Sequence, residues 1–206
     1  MISRWMKWLA APALGLILAS CGTSTQMMER WQEPTYQPIQ ASKVVVIGIG
    51  ENARRVSIFE DIMGQKFASR KIDVVKGTSI LPRDSVDIET FKKIIHDTGA
   101  QLVITARLVG IENETSYVPG TTSYVPAPSY YGMYGYYYSS YATMSTPGYY
   151  TSYKVYKVES NVYDVKQEKL VWSGESHTTD PQNAEDGIDS FGNTLIDELL
   201  RAKMIK

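Results

Sequence analysis

Lys43 to Ile49 reads KVVVIGI, and this run of β-branched residues decides the fold. A strand that is apolar at consecutive positions is typical of a strand buried on both faces. The next segment, Arg55 to Lys71, places its apolar residues on one helical face. The run therefore predicts a central strand with helices packed against its sheet.

Strands and helices continue to alternate after this unit. Ile72 to Lys76 and Gln101 to Glu112 are predicted strands, and Gly77 to Asp84 is a predicted loop. Between them, Ile88 to Thr98 has the pattern of an amphipathic helix. Asp87 is its predicted N-cap, and Gly99 its predicted C-terminal stop. The first half of the chain thus has the order β-α-β-α-β.

The second half predicts a hairpin and a closing helix. Tyr153 to Lys166 alternates apolar and polar side chains, and Leu170 to His177 forms a second strand after a short turn. Asn183 to Lys203 has a helical apolar face, with acidic residues in its first turn and basic residues in its last. We expect one α/β (α+β) domain over residues 43–206, with a mixed β-sheet, helices packed on it and no internal repeat.

The first twenty residues have the order of a secretory signal. Arg4 and Lys7 precede an uncharged apolar run, Leu9 to Ala19, which is shorter than the roughly 20 residues of a membrane span. Leu18 to Cys21 (LASC) resembles the bacterial lipobox, in which small residues precede the modified cysteine. We therefore expect residues 1–20 to be removed and Cys21 to carry the lipid.

The remaining features of the N-terminal region agree with this expectation. Cys21 is the only cysteine, so an intrachain disulfide and a cysteine metal cluster are excluded. Several acyl chains together give a stable membrane anchor, as lipoproteins of this type have. Gly22 stands where an aspartate retains many lipoproteins at the inner membrane, so the resemblance favours the outer membrane, facing the periplasm. The polar, proline-containing composition of residues 21–42 predicts a flexible tether.

Charge gives no sign of a nucleic-acid partner. Without Arg4 and Lys7 the chain has 19 basic and 22 acidic residues, which is a net charge of −3. A nucleic-acid surface is strongly basic. The sequence therefore predicts no nucleic-acid partner, and the lipid on Cys21 makes the membrane the first expected partner.

Residues 115–153 form an insertion without a single charged residue or histidine, and they contain 12 of the 15 tyrosines. Prolines and glycines within it predict that regular structure is broken. Tyrosine is favoured at binding surfaces because it joins a stacking ring to a hydrogen-bonding hydroxyl. Three interpretations stay open, namely a low-complexity loop, a binding surface and self-association. The candidate binding residues are Tyr130, Tyr131, Tyr134, Tyr136, Tyr137, Tyr138 and Tyr141.

Gly48 to Ala53 reads GIGENA and matches a dinucleotide-binding pattern between a strand and a helix. The acidic residue that would bind the ribose falls at Asp73, at the beginning of the second strand rather than its end. We therefore predict a tight strand-to-helix turn, and no bound cofactor.

Other catalytic arrangements are not supported by the sequence. His96 and His177 are the only histidines, and they lie on separate predicted elements. The adjacent acidic pairs Glu60-Asp61 and Glu185-Asp186 are predicted to be solvated, since neighbouring helical residues point in different directions. We expect no metal site, no catalytic residue and no enzymatic activity.

The hairpin region carries a family resemblance. Val162 to Val165 (VYDV), followed by Lys169 to Gly174 (KLVWSG), resembles the hairpin of a family of bacterial envelope lipoproteins of unknown function with a Tyr/Gly-rich insertion. The element order is also similar to the amino-terminal domain of TolB, to CsgG-type lipoproteins and to lipoprotein activators of penicillin-binding proteins. The resemblance implies a non-catalytic scaffold or interaction module with a protein partner in the envelope. The alternative is a lipoprotein that binds peptidoglycan or another glycan through the tyrosine-rich loop. Trp172 is predicted to pack in the core.

Overall fold

Val44, Val45 and Val46 are completely buried in the second strand, as their β-branched run predicts. The computed structural model describes residues 23–82, 87–124 and 143–206. The strands are β1 Ser24–Gln32, β2 Lys43–Ile49, β3 Asp73–Lys76, β4 Leu102–Val118, β5 Thr121–Tyr124, β6 Thr143–Thr146, β7 Tyr149–Asp164 and β8 Lys169–Thr179. The helices are α1 Ala53–Ala68, α2 Gly77–Ile80, α3 Ile88–Asp97 and α4 Ala184–Arg201.

Six strands form one mixed sheet in the order β1-β8-β7-β4-β2-β3. β2 runs parallel to its neighbours β3 and β4, whereas β4, β7, β8 and β1 pair in antiparallel fashion. β5 and β6 form a separate two-stranded sheet. The prediction of a single mixed α+β domain with helices on its sheet is confirmed.

Each face of the sheet has its own apolar core. The larger core joins Val44 and Val46 to apolar residues of α1 and α4, including Phe67 and Leu195. The smaller core places Ile95 of α3 against the opposite face. Alternate residues of the central strands therefore pack on different helices, which explains why the sequence of β2 is apolar without alternation.

The predicted ends of α3 are confirmed. The Asp87 carboxylate accepts a hydrogen bond from the Thr90 backbone N–H at 2.9 Å, as an N-cap does. Gly99 has a φ of +67°, a backbone conformation that is unstrained in glycine. The loop predicted over Gly77 to Asp84 differs, because its first four residues form the short helix α2.

The flexible tether predicted over residues 21–42 is wrong for Ser24–Gln32, which forms the edge strand β1 against β8. Side chains attach this strand to α4 as well. Thr25 Oγ1 donates to Ser190 Oγ at 2.8 Å, and the Arg30 guanidinium lies 3.0 Å from the buried Glu198 carboxylate. The polar sequence resembles a linker because an edge strand exposes one side to water. The ordered domain therefore begins before Lys43.

The segment between β1 and β2 is also attached to the domain. The hydroxyl of the buried Tyr36 donates to Asp164 Oδ2 at 2.9 Å, and the Gln167 N–H donates to the other oxygen of that carboxylate at 2.8 Å. Burial, and then the hydrogen bond to Asp164, raise the pKa of Tyr36 well above its ordinary value of 10.0. The hydroxyl therefore remains a donor throughout the physiological pH range.

Tyr36→Phe is expected to lower the free energy of unfolding by about 1–3 kcal/mol, because a buried carboxylate loses a donor. A raised pKa in the folded state contributes stability that is fully present below the unfolded-state value and is lost as pH rises past it. The difference between wild type and variant should therefore shrink above pH 10. Urea denaturation at pH 7 and above 10 measures both effects. Tyr163→Phe, at a partly exposed tyrosine of β7, is the matched control; an equal loss in the two variants would contradict the assignment.

The flanks of the tyrosine-rich insertion are regular, contrary to the prediction that structure is broken throughout residues 115–153. β4 continues to Val118, β7 begins at Tyr149, and β5 and β6 pair beyond them. Prolines and glycines occur at positions that leave the strands intact, since Pro119-Gly120 and Pro147-Gly148 lie between the paired segments.

Candidate functional site

A two-stranded ribbon projects from one end of the sheet. β4 and β7 remain paired as far as Val118 and Tyr149. Their other neighbours stop earlier, because the β2 ladder on β4 ends at Arg107 and the β8 ladder on β7 ends at Val155. Residues 113–118 and 149–154 are called the ribbon below. Within the described ranges, its two outer backbone edges have no strand partner.

Charged groups are concentrated at the base of the ribbon. Lys157 Nζ lies 2.6 Å from Glu112 Oε1. The Tyr153 hydroxyl donates to Glu114 Oε2 at 2.9 Å, and this hydrogen bond raises the pKa of Tyr153. Beyond the pair of Glu114 with Tyr153, toward Val118 and Tyr149, the ribbon residues are uncharged. The ribbon thus changes from charged to neutral along its length.

The neutral end of the ribbon exposes aromatic rings. Tyr117 and Tyr150 are directly opposite each other, with ring centroids 5.0 Å apart and an angle of 50° between the planes. Their exposed fractions are 55% and 74%, and that of Tyr149 is 58%. Tilted ring pairs at this separation are mutually attractive. Tyr149 pairs with Val118 and lies on the opposite face of the ribbon from Tyr150. The outer pairs of the ribbon, Tyr117–Tyr150 and Val118–Tyr149, are called the ribbon tip below, and both faces of this tip carry an aromatic ring.

A cleft of about 390 Å³ lies beside the base of the ribbon. Its lining mixes aromatic rings with hydrogen-bonding groups. The lining residues are Asn113, Ser152, Tyr153, Lys154, Tyr156, Asp180 and Pro181. The Asp180 N–H donates to the Lys154 carbonyl at 2.8 Å, which attaches the end of β8 to the ribbon. Such a cleft offers a ring face and several polar groups to a ligand.

The predicted site residues fall outside the described ranges. These are Cys21 and the tyrosines Tyr130, Tyr131, Tyr134, Tyr136, Tyr137, Tyr138 and Tyr141. Within the described ranges, the exposed rings Tyr117, Tyr149 and Tyr150 were not singled out by the sequence analysis. The available signal was the β-favouring composition of Thr115, Tyr117 and Val118 directly after the predicted third strand.

The backbone of the Gly48–Ala53 turn donates to a buried carboxylate of the protein itself, that of Glu60. The carboxylate of Glu60 accepts the Gly48 N–H at 3.1 Å on one oxygen, and the Thr78 N–H and hydroxyl at 2.8 and 2.6 Å on the other. A Cβ on Gly48 would come within 2.9 Å of a Phe59 ring carbon, so this glycine is required for helix packing. The Gly48 N–H, which a bound phosphate would need as a donor, already donates to Glu60. This geometry fits the predicted strand-to-helix turn.

Glu60 also corrects a prediction. Glu60-Asp61 was expected to be solvated, yet Glu60 is 1% exposed, whereas Asp61 pairs with Lys76 at the surface. As expected, the side chains of these helical neighbours point in different directions, but that of Glu60 points into the protein. Backbone donors at the ends of β2 and β3 make the buried position tolerable for a carboxylate.

Glu60→Gln is expected to lower the free energy of unfolding by about 1.5–3 kcal/mol, because the amide nitrogen faces donors instead of accepting from them. Thermal or urea denaturation measures the loss. Glu51→Gln, on the exposed turn nearby, removes the same charge from a solvated position and should change stability little. Equal stability of both variants would show that the Glu60 network contributes nothing.

The two histidines lie near opposite ends of the sheet. His96 of α3 lies near the β7–β8 turn, where its Nε2 is 3.4 Å from Glu168 Oε1. The pKa of Glu168 is lowered, mainly by the hydrogen bond from Lys92 and then by that from His96. His177, near the ribbon end of β8, contacts Glu175 at 2.8 Å. Over the described residues, no group of three or more histidine or acidic side chains has the arrangement of a metal site.

Trp172 lies in the core as predicted, with 2% of its surface exposed.

No helix in the described part of the chain is both long and apolar enough to cross a membrane.

No protein family matches the chain by sequence, and neither does any curated protein. Among solved structures, PelC from Paraburkholderia phytofirmans, a dodecamer, aligns with a TM-score of 0.43 and 13% identity over 89% of this chain and 99% of that one. A lipoprotein from Neisseria meningitidis aligns with a TM-score of 0.40 and 10% identity, covering 78% and 96%. These likenesses are too low to assign a family or a function.

Proposed function

We propose that the chain is an envelope lipoprotein, anchored through a lipid on Cys21, whose domain is a non-catalytic interaction or scaffold module. The observation that carries the proposal is the ribbon, which places exposed tyrosines on a paired, two-stranded support beyond the sheet. Rigid aromatic side chains give large contact area at low conformational cost. The outer membrane, with the domain facing the periplasm, is the proposed location.

The proposed contact element has features of a binding surface rather than of a core. Tyr117 and Tyr150 form a contiguous exposed aromatic patch on one face of the ribbon, and such patches commonly mark interaction sites. Tyr149 adds an exposed ring on the other face. The unpaired edges of the ribbon also present backbone donors and acceptors in the described ranges. The buried polar groups Glu60, Asp164 and Glu198 are each bound by neighbouring donors, which fits structural roles.

Site-specific photocrosslinking tests this proposal in intact cells. A benzophenone amino acid replaces Tyr149 on the ribbon or, as the matched control, Tyr163 at the other end of β7. We expect covalent adducts with an envelope component from position 149 and few from position 163. Equal yields at both positions, or none at position 149, would contradict a contact role for the ribbon.

A glycan-binding module is the second candidate, and the cleft at the base of the ribbon favours it. Tyr153 and Tyr156 line this cleft together with Asn113 and Asp180, a combination of rings and polar groups that suits a sugar. Pull-down with isolated peptidoglycan compares wild type with Tyr156→Ala. A second variant replaces residues 115–152 by an Asn-Gly turn between the paired Glu114 and Tyr153. Retention that neither change reduces would exclude this site.

A further inference from the structure

The strand register places the beginning of β1 and the base of the ribbon at the same level of the sheet. Ser24 pairs with Thr179 of β8, which pairs with Val155 of β7. Val155 in turn pairs with Glu112 of β4. β1 runs from this row toward the opposite end of the sheet, whereas the ribbon continues outward from it. The chain that precedes β1 therefore enters the domain at the ribbon end.

The entry point is attached to the domain. Thr23 Oγ1 hydrogen-bonds to the Asp186 carboxylate in the first turn of α4, and the Ser190 hydroxyl donates to the Thr23 carbonyl at 3.3 Å. Cys21 precedes Ser24 by only three residues. At about 3.5 Å per residue, the backbone can place Cys21 at most about 10 Å from the beginning of β1. A lipid on Cys21 thus holds the ribbon end of the domain close to the membrane.

The ribbon reaches farther than this connection. It has six rungs beyond the Val155–Glu112 row, as far as the pair of Val118 with Tyr149. Six residues at about 3.4 Å each extend about 20 Å, so the tip passes the farthest position of Cys21 by about 10 Å. The headgroup layer on each side of a bilayer is about 5–8 Å thick. A ribbon directed at the membrane therefore reaches the boundary between headgroups and acyl chains.

The chemistry of the tip suits that boundary. Thr115 to Tyr153 contains no charged residue, so no ion has to leave water when the tip enters the interface. Tyrosine is enriched at membrane–water interfaces because its ring prefers an apolar environment and its hydroxyl a polar one. The charged groups Glu112, Glu114 and Lys157 lie at the base, on the aqueous side of the tip.

We propose that the ribbon tip, with Tyr117, Tyr149 and Tyr150, inserts into the interface of the membrane that holds Cys21. This proposal rests on the lipid anchor of the proposed function and names the partner of the ribbon, which is the lipid surface. The acyl chains and the aromatic tip form two attachment points at one end of the domain. They orient the sheet so that the β7–β8 turn faces away from the membrane.

Tryptophan fluorescence in proteoliposomes tests the orientation. Full-length lipidated protein is purified from envelopes and reconstituted in phosphatidylcholine–phosphatidylethanolamine vesicles, with or without a brominated phospholipid that quenches indoles in contact with acyl chains. Tyr150→Trp places an indole at the ribbon tip. Tyr163→Trp, on the same strand at the other end of the sheet, is the matched control. Trp31 and Trp172 provide the background in both.

The brominated lipid is expected to remove most of the emission added by Tyr150→Trp and to leave that added by Tyr163→Trp unchanged. Flotation of the vesicles tests the lipid anchor separately from the insertion of the tip. Protein that floats with an unquenched Tyr150→Trp indole retains its anchor but overturns the insertion of the tip. Protein that does not float overturns the anchor and the orientation together.

Discussion

Trp172→Ala is expected to lower the free energy of unfolding by about 3–5 kcal/mol, the range for truncating a buried tryptophan. The side chain is 2% exposed and lies in the larger core. A Cβ on Gly174 would approach the indole within 2.7 Å and the Met27 sulfur within 2.9 Å. The indole therefore lies over Gly174 in the larger core, near Met27 of β1, and a cavity there is expected to weaken the attachment of β1 as well.

Urea denaturation followed by far-UV circular dichroism measures this loss. Trp31→Ala, at a 44% exposed tryptophan of β1, is the matched control and should change stability by less than about 1 kcal/mol. Where Trp172→Ala does not fold at all, Trp172→Phe leaves a smaller cavity and a measurable transition. A stability loss for Trp172→Ala no greater than that of its control would contradict the packing described here.

Exchange of residues 1–21 for the cleavable signal peptide of a secreted soluble protein is expected to move the chain from the membrane fraction to the soluble periplasmic fraction. Each acyl CH₂ group contributes about 0.8 kcal/mol to membrane binding, so several chains hold the protein almost irreversibly. A few interfacial tyrosines give much weaker binding. Fractionation after a carbonate wash measures the change, with the native N-terminal region as control. An exchanged chain that stays in the washed membranes would show that the anchor lies elsewhere.

The central sheet was predictable because local sequence determines it. The run Val44 to Ile47 can be buried only in a strand covered on both faces, and α1 and α3 have clear apolar faces. The caps at Asp87 and Gly99 follow from local backbone chemistry in the same way. Neither of these inferences requires knowledge of a distant part of the chain.

β1 was not predictable on these grounds. Its partners Thr179, Ser190 and Glu198 come from the other end of the chain, and its own composition is that of a polar linker. Hydrogen bonds to distant residues leave no periodic signal in the sequence. The difference matters, since a strand in place of a long tether holds the domain next to Cys21.

Glu60 and the ribbon show the same limit. Burial of Glu60 depends on donors from Gly48 and Thr78, which become neighbours only when β2 and β3 pair. The composition of residues 115–153 left an interaction surface as one of three interpretations, but the pairing that places Tyr117 against Tyr150 depends on the register of β4 and β7. Composition therefore distinguished residues 115–153 from the rest of the chain, whereas the strand pairing shows which residues of the ribbon face each other.

Mass spectrometry of the mature protein from purified envelopes tests the central claim, a lipid anchor on Cys21 at the ribbon end of the domain. The prediction is an N-terminal peptide that begins at Cys21 and carries diacylglycerol and a further acyl chain, with no peptide from residues 1–20. A mature chain that retains those residues, or an unmodified Cys21, would contradict the claim.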